Sequence, residues 1–96
     1  MTYKIISKST STLSEYLKLR DQRSTKLGSI DIWFDPQTKL WVTQYINDGG
    51  YPLSGEDWAT QYSTKKTDAI AVAKKHNVLI RVETRDGSKI KQILPK

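Results

Sequence analysis

Residues 29–46 constrain the fold more than any other stretch, because two alternating runs flank a short polar turn. The first run reads Ser-Ile-Asp-Ile-Trp-Phe, the turn Asp-Pro-Gln-Thr-Lys, and the second run Leu-Trp-Val-Thr-Gln-Tyr-Ile. Successive side chains of a strand point to opposite faces of a sheet, so alternation on both sides of a turn is typical of an antiparallel hairpin. We therefore predict two paired strands joined by five residues.

The five-residue turn sets the register of this hairpin. It pairs Phe34 with Leu40 and Ile32 with Val42 on an aliphatic face, which we expect to be the core face. The opposite face then carries three aromatic side chains, Trp33, Trp41 and Tyr45. An exposed aromatic cluster of this size requires either a covering layer or a ligand. This aromatic face is therefore the main indication of function in the sequence.

The composition indicates a small basic protein. Ninety-six residues suffice for one α+β domain, over 1–96, with a single core. Sixteen Lys and Arg against ten Asp and Glu give a formal net charge of +6, which favours contact with polyanions. The absence of cysteine excludes disulfides, thiolate metal sites and a thiol nucleophile. No apolar run reaches the length of a membrane span, so we expect a soluble, cytoplasmic protein without a membrane partner.

A first helix is predicted near the start of the chain. The sequence Thr12-Leu-Ser-Glu15 matches a capping box, in which the threonine hydroxyl and the glutamate carboxylate satisfy free backbone N–H groups. The helix should therefore begin at Leu13. Residues 2–7, which are rich in β-branched and aromatic side chains, precede it as a short strand.

A second helix follows the central hairpin. Ser63 or Thr64 is the expected N-cap, and the helix runs to about His76. Its buried face carries small and aliphatic residues, namely Ala69, Ile70, Val72 and Ala73. Before this helix come a loop at 47–56, dense in turn-forming residues, and a short edge strand at 57–62. The loop either lines a site or covers the aromatic face.

The chain ends in a second hairpin around Asp86-Gly87. A two-residue turn would place Lys91 opposite Val82 on the core face, which is unfavourable for a cation. We therefore expect a three-residue connection, or the same turn with a bulge, that pairs Val82 with Gln92. The outward face of this hairpin then carries four cations, Arg81, Arg85, Lys89 and Lys91.

These elements predict an α+β fold with one antiparallel or mixed sheet of four to six strands and two helices on one face. The order strand, helix, strand, strand, helix, strand, followed by a terminal strand, is that of the ferredoxin-like fold. This fold hosts unrelated functions, so function must be argued from side chains.

The aromatic face and the basic last hairpin together predict a nucleic-acid-binding domain with low sequence preference. Aromatic rings on an open sheet stack unpaired bases while neighbouring cations hold phosphates. The expected contact residues are Trp33, Trp41, Tyr45, Arg81, Arg85, Lys89 and Lys91. The alternative is a protein-interaction or homodimerisation module, encoded by a phage or mobile element, whose aromatic face is covered by a partner or by the 47–56 loop.

No catalytic, metal or cofactor site emerges from the sequence, and we do not expect an enzyme. One histidine and no cysteine leave no pair of nucleophile and base, and there is no metal-ligand spacing or glycine-rich phosphate loop. Lys65 and Lys66 lie in the first turn of the second helix, where the helix dipole disfavours cations. A bound anion would reconcile them with this position, so they are candidates for anion binding.

Short motifs resemble a family of small uncharacterised bacterial domains. They are Trp41-Val42 in a strand, residues 62–73 opening a helix with spaced alanines, and Asp86-Gly87 in a terminal hairpin. This resemblance covers about residues 30–93 and implies an α+β domain of unknown function. Residues 32–76 are also similar to the three-strand-plus-helix arm-binding domains of phage-type integrases, which implies binding of duplex DNA through the sheet. Neither resemblance supplies a catalytic residue.

Overall fold

The structure, a computed structural model, describes residues 15, 17, 19 and 21–96. In chain order its elements are helix α1, described at residues 15, 17, 19 and 21–23; strands β1 (Leu27–Asp35) and β2 (Leu40–Asn47); a 3-10 helix (Glu56–Trp58); strand β3 (Gln61–Ser63); helix α2 (Lys66–Lys74); and strands β4 (Leu79–Glu83) and β5 (Ile90–Ile93). The strand predicted at residues 2–7 and the predicted helix start at Leu13 lie outside the described residues.

The five strands form one mixed sheet in the order β3-β2-β1-β4-β5. β1 and β4 pair in parallel, whereas the other three pairs are antiparallel. The prediction of an α+β fold with one sheet of four to six strands and two helices is confirmed in this form. The ferredoxin-like arrangement is not confirmed, because three strands precede α2 in succession among the described elements.

The register of the β1–β2 hairpin differs from the prediction by one residue. Asp35 pairs with Leu40, so Phe34 lies opposite Trp41 rather than opposite Leu40. The connection is a four-residue loop at 36–39 instead of a five-residue turn. Because side chains alternate along a strand, this shift exchanges the two faces of β2 relative to β1.

Hydrogen bonds made by Asp35 explain the shorter loop. Its carbonyl accepts from the Lys39 N–H at 2.8 Å, and its carboxylate accepts from the Gln37 N–H at 3.0 Å and the Thr38 hydroxyl at 2.9 Å. Lys39 closes the loop with a φ of 60°. Asp35 therefore serves both as the last paired residue of β1 and as the residue that holds the turn.

The core lies on the side of the sheet against which α2 packs, which we call the helix face. Ala69 and Ala73 of α2 are buried there, and their small side chains allow the helix to approach the sheet closely. The core cluster consists of Ile30, Ile32, Trp41, Tyr45, Leu53, Ala69, Ala73, Ile80 and Val82.

Ile32, Val82, Ala69 and Ala73 are buried as expected, but Val72, predicted on the buried face of the second helix, is 36% exposed. The register shift moves two further expected core residues. Phe34 and Ile70 pack against the cluster as partly buried residues. Leu40 and Val42, predicted on the core face, lie instead on the other side of the sheet, which we call the opposite face, beside Trp33. Val42 is nevertheless buried.

Helix α2 begins later than predicted. Ser63 still pairs with Trp41 as the last residue of β3, and the helix starts only at Lys66, so neither Ser63 nor Thr64 is the N-cap. The N-cap is Lys65, which has extended backbone geometry and makes no side-chain capping hydrogen bond. At the other end, α2 stops at Lys74, two residues before His76.

The last hairpin adopts the register that was predicted to be unfavourable, with Val82 opposite Lys91 and Ile80 opposite Ile93. The predicted pairing of Val82 with Gln92 is therefore wrong. β5 is an edge strand, and the side chain of Lys91 stays exposed in this position. A lysine at this position can therefore face the core side of the sheet while its ammonium group remains in water.

The loop after β2 folds back onto the helix face. The Leu53 N–H donates to the Tyr45 carbonyl at 2.9 Å, and the Leu53 side chain is part of the core. Trp58, predicted in an edge strand, lies in the 3-10 helix, with its ring centroid 5.3 Å from that of Tyr45. The loop therefore covers part of the sheet.

Asn47, at the end of β2, joins this loop to α1. It is 2% exposed, and its amide oxygen accepts from the N–H groups of Gly49 and Tyr51, both at 2.9 Å. Its amide nitrogen lies 2.6 to 3.2 Å from three carbonyl oxygens at the end of α1, those of Asp21, Gln22 and Ser24. A glycine is required at position 49, because a Cβ there would lie 2.7 Å from the Asp21 carbonyl oxygen.

We predict that Asn47→Asp lowers the free energy of unfolding by about 3 kcal/mol or more, because a carboxylate replaces the donor that faces three carbonyls. Gln44→Glu is the matched control, since it makes the same chemical change at a half-buried position of the same strand. It should cost less than about 1 kcal/mol. Urea denaturation measures both values, and similar losses for the two variants would contradict a capping role for Asn47.

Candidate nucleic-acid interface

The three aromatic candidates for base stacking do not share a surface. Trp41 is 8% exposed and Tyr45 is 2% exposed, and both belong to the core on the helix face. Trp33 is half-buried on the opposite face. The predicted three-ring stacking surface is therefore wrong, and the cause is the one-residue change in the β1–β2 register.

Arg81 lies on the opposite face and is already paired within the protein. Its Nε donates to the Asp31 carboxylate at 2.7 Å, and a terminal guanidinium nitrogen donates to the Ser29 hydroxyl at 2.8 Å. This is the one ion pair that joins two residues of the described part of the chain. Arg81 is thus separated from the other three predicted cations and held by two side chains of the neighbouring strand β1.

The remaining cations of the last hairpin lie near the helix face. Lys91 is opposite the core residue Val82, and the Lys89 carbonyl accepts from the Thr84 N–H at 2.9 Å. Both lysine side chains are exposed. Arg85 extends over Phe34, with its Cζ 4.5 Å from the ring centroid, which is a cation–π contact.

A second cation–π contact lies beside the first. The rings of Phe34 and Trp41 are tilted by 58° with centroids 5.3 Å apart, and the Lys66 Nζ lies 5.5 Å from the Trp41 centroid. An aromatic pair on neighbouring strands thus holds one cation from α2 and one from the β4–β5 turn.

These side chains meet at one end of the sheet. β1 and β4 are parallel and both end there, β2 begins there, and α2 starts shortly after β3 ends there. We call the cations that gather at this end the cationic rim, which consists of Lys65, Lys66, Arg85, Lys89 and Lys91. Among the described residues, none of these five has a carboxylate within ion-pair distance.

No family model, curated protein or solved structure matches the chain. The two resemblances drawn from short motifs therefore remain predictions.

In residues 15, 17, 19 and 21–96, no group of three or more histidine or acidic side chains is arranged to hold a metal ion. None of the helices in this part of the chain combines the length and apolar content needed to cross a membrane.

The single histidine belongs to an aromatic cluster at the other end of α2. The ring centroid of His76 lies 5.3 Å from that of Tyr45 and 5.7 Å from that of Trp58. The Tyr45 hydroxyl donates to Gln61 Oε1 at 3.1 Å, and burial raises the pKa of this hydroxyl. These contacts give His76 and Tyr45 packing roles.

Asp86 fixes the turn that carries Arg85. Its carboxylate accepts from the Thr84 hydroxyl at 2.6 Å, from the Ser88 N–H at 3.0 Å and from the Ser88 hydroxyl at 2.8 Å. These donors, the Thr84 hydroxyl foremost, lower the pKa of Asp86 from 3.8 to about 2. Gly87 completes the turn with a φ of 74°.

We predict that the Asp86 carboxyl group titrates at about pH 2 in an NMR measurement. Because its pKa is lower in the folded state, its contribution to stability is complete above pH 3.8 and is lost as the pH falls through about 2. Thr84→Val should raise this pKa by removing a donor, whereas the control Thr84→Ser should leave it low. Equal titration of the two variants would contradict the role of the hydroxyl.

Proposed function

We propose that this protein is a non-catalytic domain that binds nucleic acid weakly and with low sequence preference, through phosphate contacts of the cationic rim. The observation that carries the proposal is the placement of Lys66 and Arg85. Both are held over the Phe34–Trp41 pair and neither has a carboxylate partner among the described residues.

Cationic side chains that are held against aromatic rings are well placed to bind phosphate groups. An aromatic face restricts the conformers of a long side chain, so less conformational entropy is lost when the side chain binds a ligand. Guanidinium and ammonium groups donate charge-assisted hydrogen bonds to phosphate oxygens. The net charge of +6 adds long-range attraction for a polyanion.

The proposed binding mechanism does not involve the stacking of bases on three aromatic rings. Trp41 and Tyr45 are too buried to stack on a base, so affinity comes from charge. Phosphates carry no sequence information, which accounts for the low sequence preference. Lys65 and Lys66 lie beside the free N–H groups at the start of α2, where a phosphate would be favoured by the helix dipole.

The succession of three strands and a helix in β1, β2, β3 and α2 is also the order that the resemblance to arm-binding domains implies. This agreement supports a nucleic-acid ligand, although the proposed contacts lie at the end of the sheet.

The test is the salt dependence of binding to a fluorescent oligonucleotide. We expect the triple variant Lys65→Gln, Lys66→Gln and Arg85→Gln to bind more weakly to all sequences. Its plot of log affinity against log salt should be less steep by about 2 to 3 than that of the wild type, because about three counterions fewer are released.

The matched control is Lys74→Gln, Lys75→Gln and Lys96→Gln, which removes the same charge from exposed side chains away from the rim. It should change the slope much less. Equal effects of the two triple variants would mean that only net charge matters. A wild-type protein that binds neither single strands nor duplexes at low salt would refute the function itself.

A homodimerisation module is the second candidate, and two exposed apolar side chains favour it. Tyr62 on the edge strand β3 is 59% exposed, and Ile90 on the edge strand β5 is 60% exposed. A dimer that pairs sheet edges would bury one of them. Sedimentation velocity over a range of concentrations should then show self-association that Tyr62→Ser or Ile90→Ser weakens, whereas a concentration-independent monomer would exclude this candidate.

A further inference from the structure

A groove on the opposite face differs chemically from the cationic rim. It crosses β1, β4 and β5, encloses about 310 Å³, and is lined by Asp31, Ile32, Trp33, Arg81, Glu83 and Ile90. We call it the Trp33 groove. Its volume is at the lower end of the range for ligand pockets, about 300 to 1,000 Å³, so it suits one small group rather than a large ligand.

The lining of the Trp33 groove carries a negative charge in excess. Arg81 and Asp31 neutralise each other through their ion pair. The remaining carboxylate, that of Glu83, is half-buried and has no hydrogen-bond or ion-pair partner among the described residues. An unpaired carboxylate in a partly desolvated site favours a cationic ligand and repels phosphate.

The apolar part of the groove suits the same kind of ligand. Trp33 is half-buried, and an indole face attracts cations more strongly than any other aromatic side chain does. Ile90, which is exposed, offers an aliphatic surface for the methylene groups of an arginine or lysine side chain. Carboxylate, indole and aliphatic surface together match the charged head and the apolar stem of such a side chain.

We propose that the Trp33 groove binds an arginine or lysine side chain from a basic segment of a partner protein. Charge complementarity between the Glu83 carboxylate and that side chain selects this occupant. The site lies across the sheet from the core, and it does not use the cations of the rim. This protein-binding role is therefore independent of nucleic-acid binding.

The probe is a short arginine-glycine peptide blocked at both ends, with the corresponding citrulline peptide as its uncharged control. The readout is the indole N–H signal of Trp33 in NMR spectra, assigned by its loss in Trp33→Phe. We expect the arginine peptide to shift this signal in a saturable manner and the citrulline peptide to leave it unchanged.

Glu83→Gln should weaken the affinity for the arginine peptide by about tenfold or more, because the charged partner is lost. Glu56→Gln, which removes the same charge from an exposed residue of the 3-10 helix, should leave the affinity nearly unchanged. Thermal unfolding of both variants checks that they are folded. The triple variant of the rim should bind the peptide like the wild type, which separates this test from that of nucleic-acid binding.

Any of four results would overturn the proposal, and the first three concern the peptides and the variants. They are a Trp33 signal that the arginine peptide does not shift, equal binding of the citrulline peptide, and equal losses in Glu83→Gln and Glu56→Gln. A shift of the Trp33 signal by an oligonucleotide but not by the peptide would also overturn it, and would assign the groove to a base instead.

Discussion

The pairing of Asp35 with Leu40 is the constraint on which the other features of the sheet depend. It places Trp41 and Tyr45 on the same side as Ile30, and so it decides which side α2 must cover. The interactions that fix this pairing are local, because three hydrogen bonds accepted by Asp35 hold the four-residue loop between the two strands. A short polar segment thus determines how several large aromatic rings are buried.

The sequence alone predicted the strands and the helix whose hydrophobic residues recur with a clear period. Alternation identified β1 and β2, and the spaced alanines identified the buried side of α2, because burial imposes those periods directly. The registers of both hairpins were wrong by one residue. In each hairpin, side-chain hydrogen bonds of an aspartate, Asp35 or Asp86, fix the conformation and length of the loop. The loop length then determines the strand register, which differs from the register that burial of hydrophobic side chains alone would favour. The parallel pairing of β1 with β4 has no sequence signal of its own, because contact between distant strands is decided by packing of the whole sheet.

The candidate site was predictable only in part for the same reason. Arg85 and Lys66 were both identified as cations with a reason to bind anions, but as members of two unrelated groups. Their proximity depends on Phe34 and Trp41 being neighbours, which follows from the register. The corrected register also removes Trp41 and Tyr45 from the face that carries Trp33, which lines the groove together with Glu83. The two proposed sites thus differ in place and in charge, because the rim at the end of the sheet consists of cations and the groove on the opposite face contains a carboxylate that is unpaired within the described part of the chain.

The central position of β1 has a consequence for synthesis of the chain. One edge of β1 pairs with β2, which follows it directly, but the other edge pairs with β4, which begins at Leu79, after β2, β3 and α2. Until β4 has been synthesised and has docked, the backbone N–H and C=O groups along that edge lack the strand that pairs with them in the finished sheet. Unpaired edges next to strongly hydrophobic side chains promote association between nascent chains. Docking of β4 therefore ends the period during which this edge of β1 is open to such association.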